Sequence, residues 1–177
     1  MMKRKIRNSA RPSFQGQGLS MSPPAYNWLD NIFIYSGKSR RPAAIAFELG
    51  IPTGAVINPI VCSIGDDDLV IILMAGDKAC DPQQVSRALA RAGETVTHLN
   101  ETEIAQRIGT NLENLFAIQL AEQMPVIIDA SLKRFDKLYS KAGGRKCLIE
   151  TTYGEIKVLT KGIVSYGLSS PGPFPHT

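Results

Sequence analysis

The chain has little of what most catalytic centres are built from. Its 177 residues include two histidines, three cysteines and one tryptophan. His98 falls at an expected strand end and His176 in a Pro- and Gly-rich tail, so a histidine-based triad or a His-rich metal site has no footing. Neither GxGxxG nor GxxxxGK[ST] occurs, which removes the common dinucleotide and nucleoside-triphosphate cradles. Cys62, Cys80 and Cys147 lack CxxC spacing. That speaks against a disulfide framework or a zinc knuckle and for a place in the core. No metal and no cofactor is therefore expected. The densest apolar run, Leu69 to Ala75, is far shorter than the roughly 20 residues a bilayer-crossing helix needs. Residues 1–20 are basic but have no apolar middle region, so no secretory signal is expected and the expected compartment is the cytoplasm.

What is present suits one globular domain: 44% of residues are hydrophobic and 20% are charged. The net charge of +4 is unevenly placed. Lys3, Arg4, Lys5, Arg7 and Arg11 stand at the start without an acid, whereas the remaining 157 residues hold 15 basic and 16 acidic side chains. The body is thus near neutrality. Nucleic-acid contact would have to come from the basic leader and from the cluster Lys38, Arg40 and Arg41. Residues 1–24 are expected as a disordered leader, 25–168 as the folded unit and 169–177 as a disordered tail.

Within the folded unit, Ile32 to Tyr35 reads as a strand and Pro42 to Leu49 as a helix capped by Gly50. Ala55 to Ser63 and Leu69 to Met74 flank a turn with Gly65 and three aspartates, the pattern of a hairpin. Pro59 cannot donate to a ladder, which places its part of the strand at an edge or bulge. The aspartates 66–68 read as a solvated turn. Asp81 and Pro82 start a helix carrying Val85, Leu89 and Ala92 up to Gly93, and Asn100 with Glu103 starts another that ends at Gly109. Leu112 to Met124 has near-helical apolar spacing, and Val126 to Asp129 is a buried strand. Asp129, at that strand's end, reads either as a catalytic base or as the group that ties down the next turn, with Asp136 nearby. Cys147 to Thr152, Glu155 to Leu159 and Gly162 to Tyr166 read as short strands or turns. Interleaved strands and helices without a strict βαβ repeat indicate an α/β or α+β domain with a mixed sheet, not a doubly wound nucleotide fold.

The runs Ile32-Phe-Ile-Tyr35, Ala46-Phe-Glu-Leu-Gly-Ile-Pro52, Ile60-Val61, Leu69 to Met74 with Ala75-Gly-Asp77, and Met124-Pro-Val-Ile-Ile-Asp-Ala-Ser-Leu132 through Tyr139 to Gly143 occur in a telling order. In that order and spacing the chain resembles the YbaK-like family of prolyl-tRNA synthetase-associated editing domains, over nearly all of residues 25–168. The resemblance implies a partly barrel-like mixed sheet flanked by helices. It also implies hydrolysis of wrongly charged aminoacyl-tRNA in trans, with aminoacylated tRNA as partner and a synthetase as a second candidate partner. Such a site can work with few acids and bases if it positions a water and lets the neighbouring 2′-hydroxyl assist. No membrane partner is implied, and a monomer is expected.

Two departures from the family pattern fall inside the implied site. The family's lysine, in a strand reading Val-Lys-Thr-Leu-Val, is replaced by Asn58 in Ile57-Asn-Pro-Ile-Val61. An amide cannot supply that charge. The GxxxP element followed by Phe-Gly becomes Gly109-Thr-Asn-Leu-Glu-Asn-Leu-Phe-Ala117, with no proline and with Ala117 for the glycine. The resemblance therefore assigns Asn58, Asp77 and Lys78 to the reaction, Lys78 as replacement cation. It assigns Gly76, Thr110, Asn111, Phe116 and Ala117 to substrate contact. Two readings stand side by side: an aminoacyl-tRNA deacylase with altered or reduced activity, and a catalytically degenerate module that binds tRNA or a small ligand.

Overall fold

The computed structural model describes residues 28–37, 39–65, 67–110, 117–143 and 146–171. The expected leader therefore lies outside the described residues. In chain order the elements are β1 (Ile32–Ile34), α1 (Pro42–Leu49), β2 (Ile57–Ile64), β3 (Asp68–Ala75), β4 (Lys78–Cys80), α2 (Pro82–Ala88) and β5 (Val96–His98). There follow α3 (Glu101–Ile108), α4 (Ala117–Leu120), β6 (Val126–Asp129), β7 (Leu138–Lys141), β8 (Cys147–Thr151), α5 (Tyr153–Thr160), β9 (Ile163–Ser165) and β10 (Ser169–Pro171). Short 3-10 turns at Thr53–Ala55 and Ala130–Arg134 precede β2 and follow β6.

The central sheet has the order β5-β2-β3-β6-β9. β2 pairs antiparallel with β3 and with β5, while β3-β6 and β6-β9 are parallel. A second antiparallel sheet, β1-β8-β7, is joined to β2 by one parallel bridge, Val56 to Tyr139, and β10 pairs with β4 as a ribbon. The architecture is mixed α/β, and its sheet is not closed into a barrel: among the described residues only that single bridge links the two sheets. Ser169–Pro171, expected in the tail, instead pair with β4, so the ordered chain continues past Leu168.

Alternation along β2 and β3 decides which side chains go where. Ile57, Val61, Ile71, Leu73 and Ala75 face Ile104, Leu120, Leu132 and Ile156 on one side. Cys62, Ile64, Val70, Ile72 and Met74 face Val85 and Leu168 on the other. Pro59 is accommodated because β5 covers only Cys62–Ile64, leaving the start of β2 an edge toward β5. On the second face the Cys62 thiol donates to Cys80, which pushes Cys62 up and, with His98 beside it, lowers the Cys80 thiol to about 7.

Helix ends follow local chemistry. Asp81 accepts from the Gln83 N–H, and Asn100 and Glu103 form a reciprocal capping box closed by Gly109 in the left-handed region. Two expectations change. α2 stops at Ala88, with Ala90 at φ +55, instead of running to Gly93. Glu155 to Leu159 lie in α5, whose Thr152–Glu155 capping box is the same local signature as that of Asn100 and Glu103.

Candidate functional site

The parallel strands β3, β6 and β9 present their carboxyl ends together, and there the polar side chains collect. In open α/β sheets this is the end at which ligands sit, because the loops leaving it can be varied without disturbing the core. β3 is followed by Gly76 and Asp77. β6 ends in Asp129 and runs into the turn Ala130–Arg134, and β9 is followed by Tyr166.

Asp77 is held by Arg134, whose Nη2 lies 2.7 Å from its Oδ1. The same guanidinium donates from Nε to the Ser131 carbonyl at 2.9 Å and stacks over Phe135 at 4.9 Å. Its orientation is fixed from three sides, while part of the guanidinium stays open to solvent. The turn Thr53–Ala55 closes against this pair. A Cβ on Gly54 would stand 2.8 Å from Asp77 Oδ1 and 2.6 Å from the Phe135 ring. A Cβ on Gly76 would stand 2.5 Å from Pro42 Cβ, 2.6 Å from the Thr53 carbonyl oxygen and 2.8 Å from that of Val56. Both glycines are needed for close approach and not for backbone conformation, since neither has a positive φ.

Asp129 ties down the turn after β6, its Oδ1 accepting from the Ser131 N–H at 2.8 Å. Its other oxygen, the Ser131 hydroxyl and the Tyr153 hydroxyl are buried without hydrogen-bond partners among the described residues. Such orphaned polar atoms are uncommon, because each costs on the order of 1–3 kcal/mol. Beside them, Lys133 Nζ is 2.8 Å from the Tyr166 hydroxyl and lies over the Tyr153 and Tyr166 rings, at 5.3 and 5.0 Å. The Lys133 hydrogen bond and charge pull the Tyr166 phenol below its usual range, and the same bond raises Lys133. Burial pushes the Tyr153 phenol up. Tyr166 is 72% exposed. An exposed ring with Lys133 at its hydroxyl is an arrangement on which a nucleobase can stack while the cation meets phosphate.

The profile of the aminoacyl-tRNA editing domain matches residues 38–158. The chain belongs to that family. The uncharacterized protein YwhH of Bacillus subtilis (strain 168) is 28% identical over 90 residues, a match covering 51% of this chain and 55% of that protein. The chain thus spans about half the length of this relative. Among solved structures, the hypothetical protein APE2540 superposes with a TM-score of 0.70 at 19% identity, over 78% of this chain and 90% of that one. A candidate trans-editing enzyme for prolyl tRNA synthetase gives 0.68 at 17% identity, over 78% and 85%. At these identities the two structures establish the fold alone.

In this editing domain the residues expected from sequence are only partly gathered. Gly76 and Asp77 stand together at the carboxyl end, with Arg41 exposed beside Pro42, the residue that abuts Gly76. Lys78 opens β4, opposite Pro171, and is not the cation on Asp77. Asn58 pairs with Met74, and by alternation belongs to the face that carries Ile60 and Cys62. Two residues beyond the bridge between Val56 and Tyr139 come Asn58 on one strand and Lys141 on the other. Thr110 follows the cap of α3, and Ala117 is buried in the core with Leu73 and Leu132. Arg40 is half-buried close to Tyr35 and Glu48; burial first, then Glu48, raises that phenol, and Arg40 opposes them. Lys38, Asn111 and Phe116 lie outside the described residues. Sequence reasoning missed Gly54, Arg134, Lys133, Tyr153 and Tyr166. The signal for Arg134 was there: Asp129 two residues before Ser131 marks a turn, and Lys133-Arg134 are its last two residues.

Proposed function

We propose that this editing domain hydrolyses the ester of wrongly charged aminoacyl-tRNA in trans. The observation that supports it is the fixed Asp77–Arg134 pair at the carboxyl end of the parallel strands, inside the region matched to the editing family. In this reading the terminal nucleotide stacks on Tyr166, and Lys133 and Arg134 face its phosphate. Asp77 accepts a hydrogen bond from the attacking water. Water adds to the ester carbonyl, the bond to the ribose oxygen breaks, that oxygen takes up one of the water's protons, the other passes to solvent, and the amino acid leaves as a carboxylate. The neighbouring 2′-hydroxyl assists, so neither a histidine nor a covalent intermediate is required. A synthetase is the natural supplier of the substrate, and the partners are tRNA and that enzyme.

One observation favours the second reading, a binding module without turnover: Asn58 stands where the resemblance places a lysine. A panel of correctly and wrongly charged tRNAs, incubated with the purified chain while ester loss is followed, separates the two. Decay of at least one species well above the buffer rate supports hydrolysis. Saturable tRNA binding with no decay across the panel selects the binding module. Neither binding nor decay would sink both.

A further inference from the structure

Three sulfur and nitrogen donors meet on the second face of the central sheet, and nothing in the editing reading uses them. Cys62 Sγ, Cys80 Sγ and one ring nitrogen of His98 lie within 4.8 Å of one another, the one such group among the described residues. They come from three strands. Cys62 and His98 are direct partners in the antiparallel pairing of β2 with β5, which puts their side chains on the same face. Cys80 ends β4 and packs into the same apolar layer. Its position is fixed on both sides. It pairs with Ser169, and the next residue, Asp81, donates its N–H to the Leu168 carbonyl while capping α2.

We propose that Cys62, Cys80 and His98 form a binding site for a zinc ion, with its fourth position open to solvent. Zinc favours tetrahedral sulfur and nitrogen donors, at ~2.3 Å for thiolate and ~2.0–2.1 Å for imidazole. Those bond lengths at tetrahedral angles set the donor atoms ~3.5–3.8 Å apart, so the three need to close by ~1.3 Å at most. His98 is exposed and can swing to do so, whereas Cys62 is fully buried and provides the fixed corner. A disulfide would use the two sulfurs and leave the imidazole without a purpose; three converging donors suit an ion better. Binding balances by expelling two protons, one from each thiol, with no change of oxidation state. The site is separate from Asp77 and Arg134, and the proposal does not depend on ester hydrolysis.

The test uses the full chain, reduced and freed of metal, titrated anaerobically with zinc against a chromophoric chelator and, in parallel, with cobalt(II). One ion per chain, release of whatever thiol protons remain at the working pH and a cobalt–thiolate charge-transfer band are expected. Cys80→Ser and His98→Ala should each weaken binding by at least ~10-fold, the low end of what even outer-shell changes cost at zinc sites. Cys147→Ser should leave binding unchanged. Both variants alter side chains outside the fully buried core, and circular dichroism checks their folding; if one fails to fold, the cobalt spectrum of the unaltered chain still decides. Absence of that band, affinity unchanged in both variants, or a chain that closes a Cys62–Cys80 disulfide in air but takes up no ion when reduced would overturn the proposal.

Discussion

The two ends of the parallel trio β3, β6 and β9 are built differently, although the same strands supply both. At the carboxyl end, an ion pair, two close-approach glycines and three unpartnered buried polar atoms crowd around one turn. At the other end, a groove of about 370 Å³ opens between Ala121–Val126, Thr160, Lys161 and Ile163, and none of the ion pairs among the described residues involves its lining. A groove of that size can admit a small ligand. Chemistry favours the crowded end, because fixing a charge and burying polar atoms without partners costs stability, and such costs collect where substrates are met. Each substitution below either breaks that contrast or sharpens it.

The largest effect belongs to Asp77. Replacing it with asparagine keeps the shape, removes the charge that holds Arg134 and weakens the acceptor facing the water. Deacylation should fall by ~10²–10⁴-fold, the usual worth of a positioned proton acceptor. The thermal midpoint should move little, since a partly exposed ion pair contributes only ~0–1 kcal/mol. If single-turnover deacylation by Asp77→Asn matches that of the parent, the crowded end is not the reacting end.

Gly76→Ala comes next and should act on stability. Its Cβ would press on two backbone carbonyl oxygens and on Pro42, none of which is the far end of a flexible side chain. Overpacking of this kind costs ~1–3 kcal/mol, and chemical denaturation should place this variant near the top of that range. Gly54→Ala tests the same wall from the other side, where the obstacles are the Phe135 ring and the Asp77 carboxylate. Side chains can yield, so about 1 kcal/mol of stability should be lost. Deacylation should drop by an order of magnitude or more, because the carboxylate yields with the ring. A Gly54→Ala chain that loses stability but keeps its rate would show that Asp77 tolerates displacement.

These contacts also explain what could be read in advance. The caps at Asp81, Asn100 and Thr152 and the hairpin β2–β3 depend on residues two to eighteen positions apart, and their signatures lie on the sequence. Asn100 was legible for that reason, and Thr152 was equally legible but overlooked. Asp77 and Arg134 are 57 residues apart, and Cys62 meets His98 only because β5 pairs with the last three of the eight residues of β2. No local pattern encodes such meetings; register does. The same applies to Asn58. Its place in the sequence matched the family's lysine, but the side of the sheet it occupies was set by the pairing with Met74.

The smallest expected effect lies in the groove, and it isolates that end from the chemistry. Lys161 caps α5 in the left-handed region at φ +52 and lines the groove. A non-glycine residue in that conformation costs ~1–2 kcal/mol, whereas glycine adopts it freely. Lys161→Gly also makes the unfolded chain more flexible, which takes back ~0.5–1 kcal/mol. The difference is a net gain of about 0.5 kcal/mol, or ~1–2 °C in Tm for a chain of this size. Deacylation should stay within twofold of the parent, because the substitution changes a helix cap at the far end of β6 and leaves Asp77 and Arg134 untouched. A Lys161→Gly chain that becomes more stable yet loses its rate would move the reaction into the groove, and with it the meaning of every polar contact at the other end.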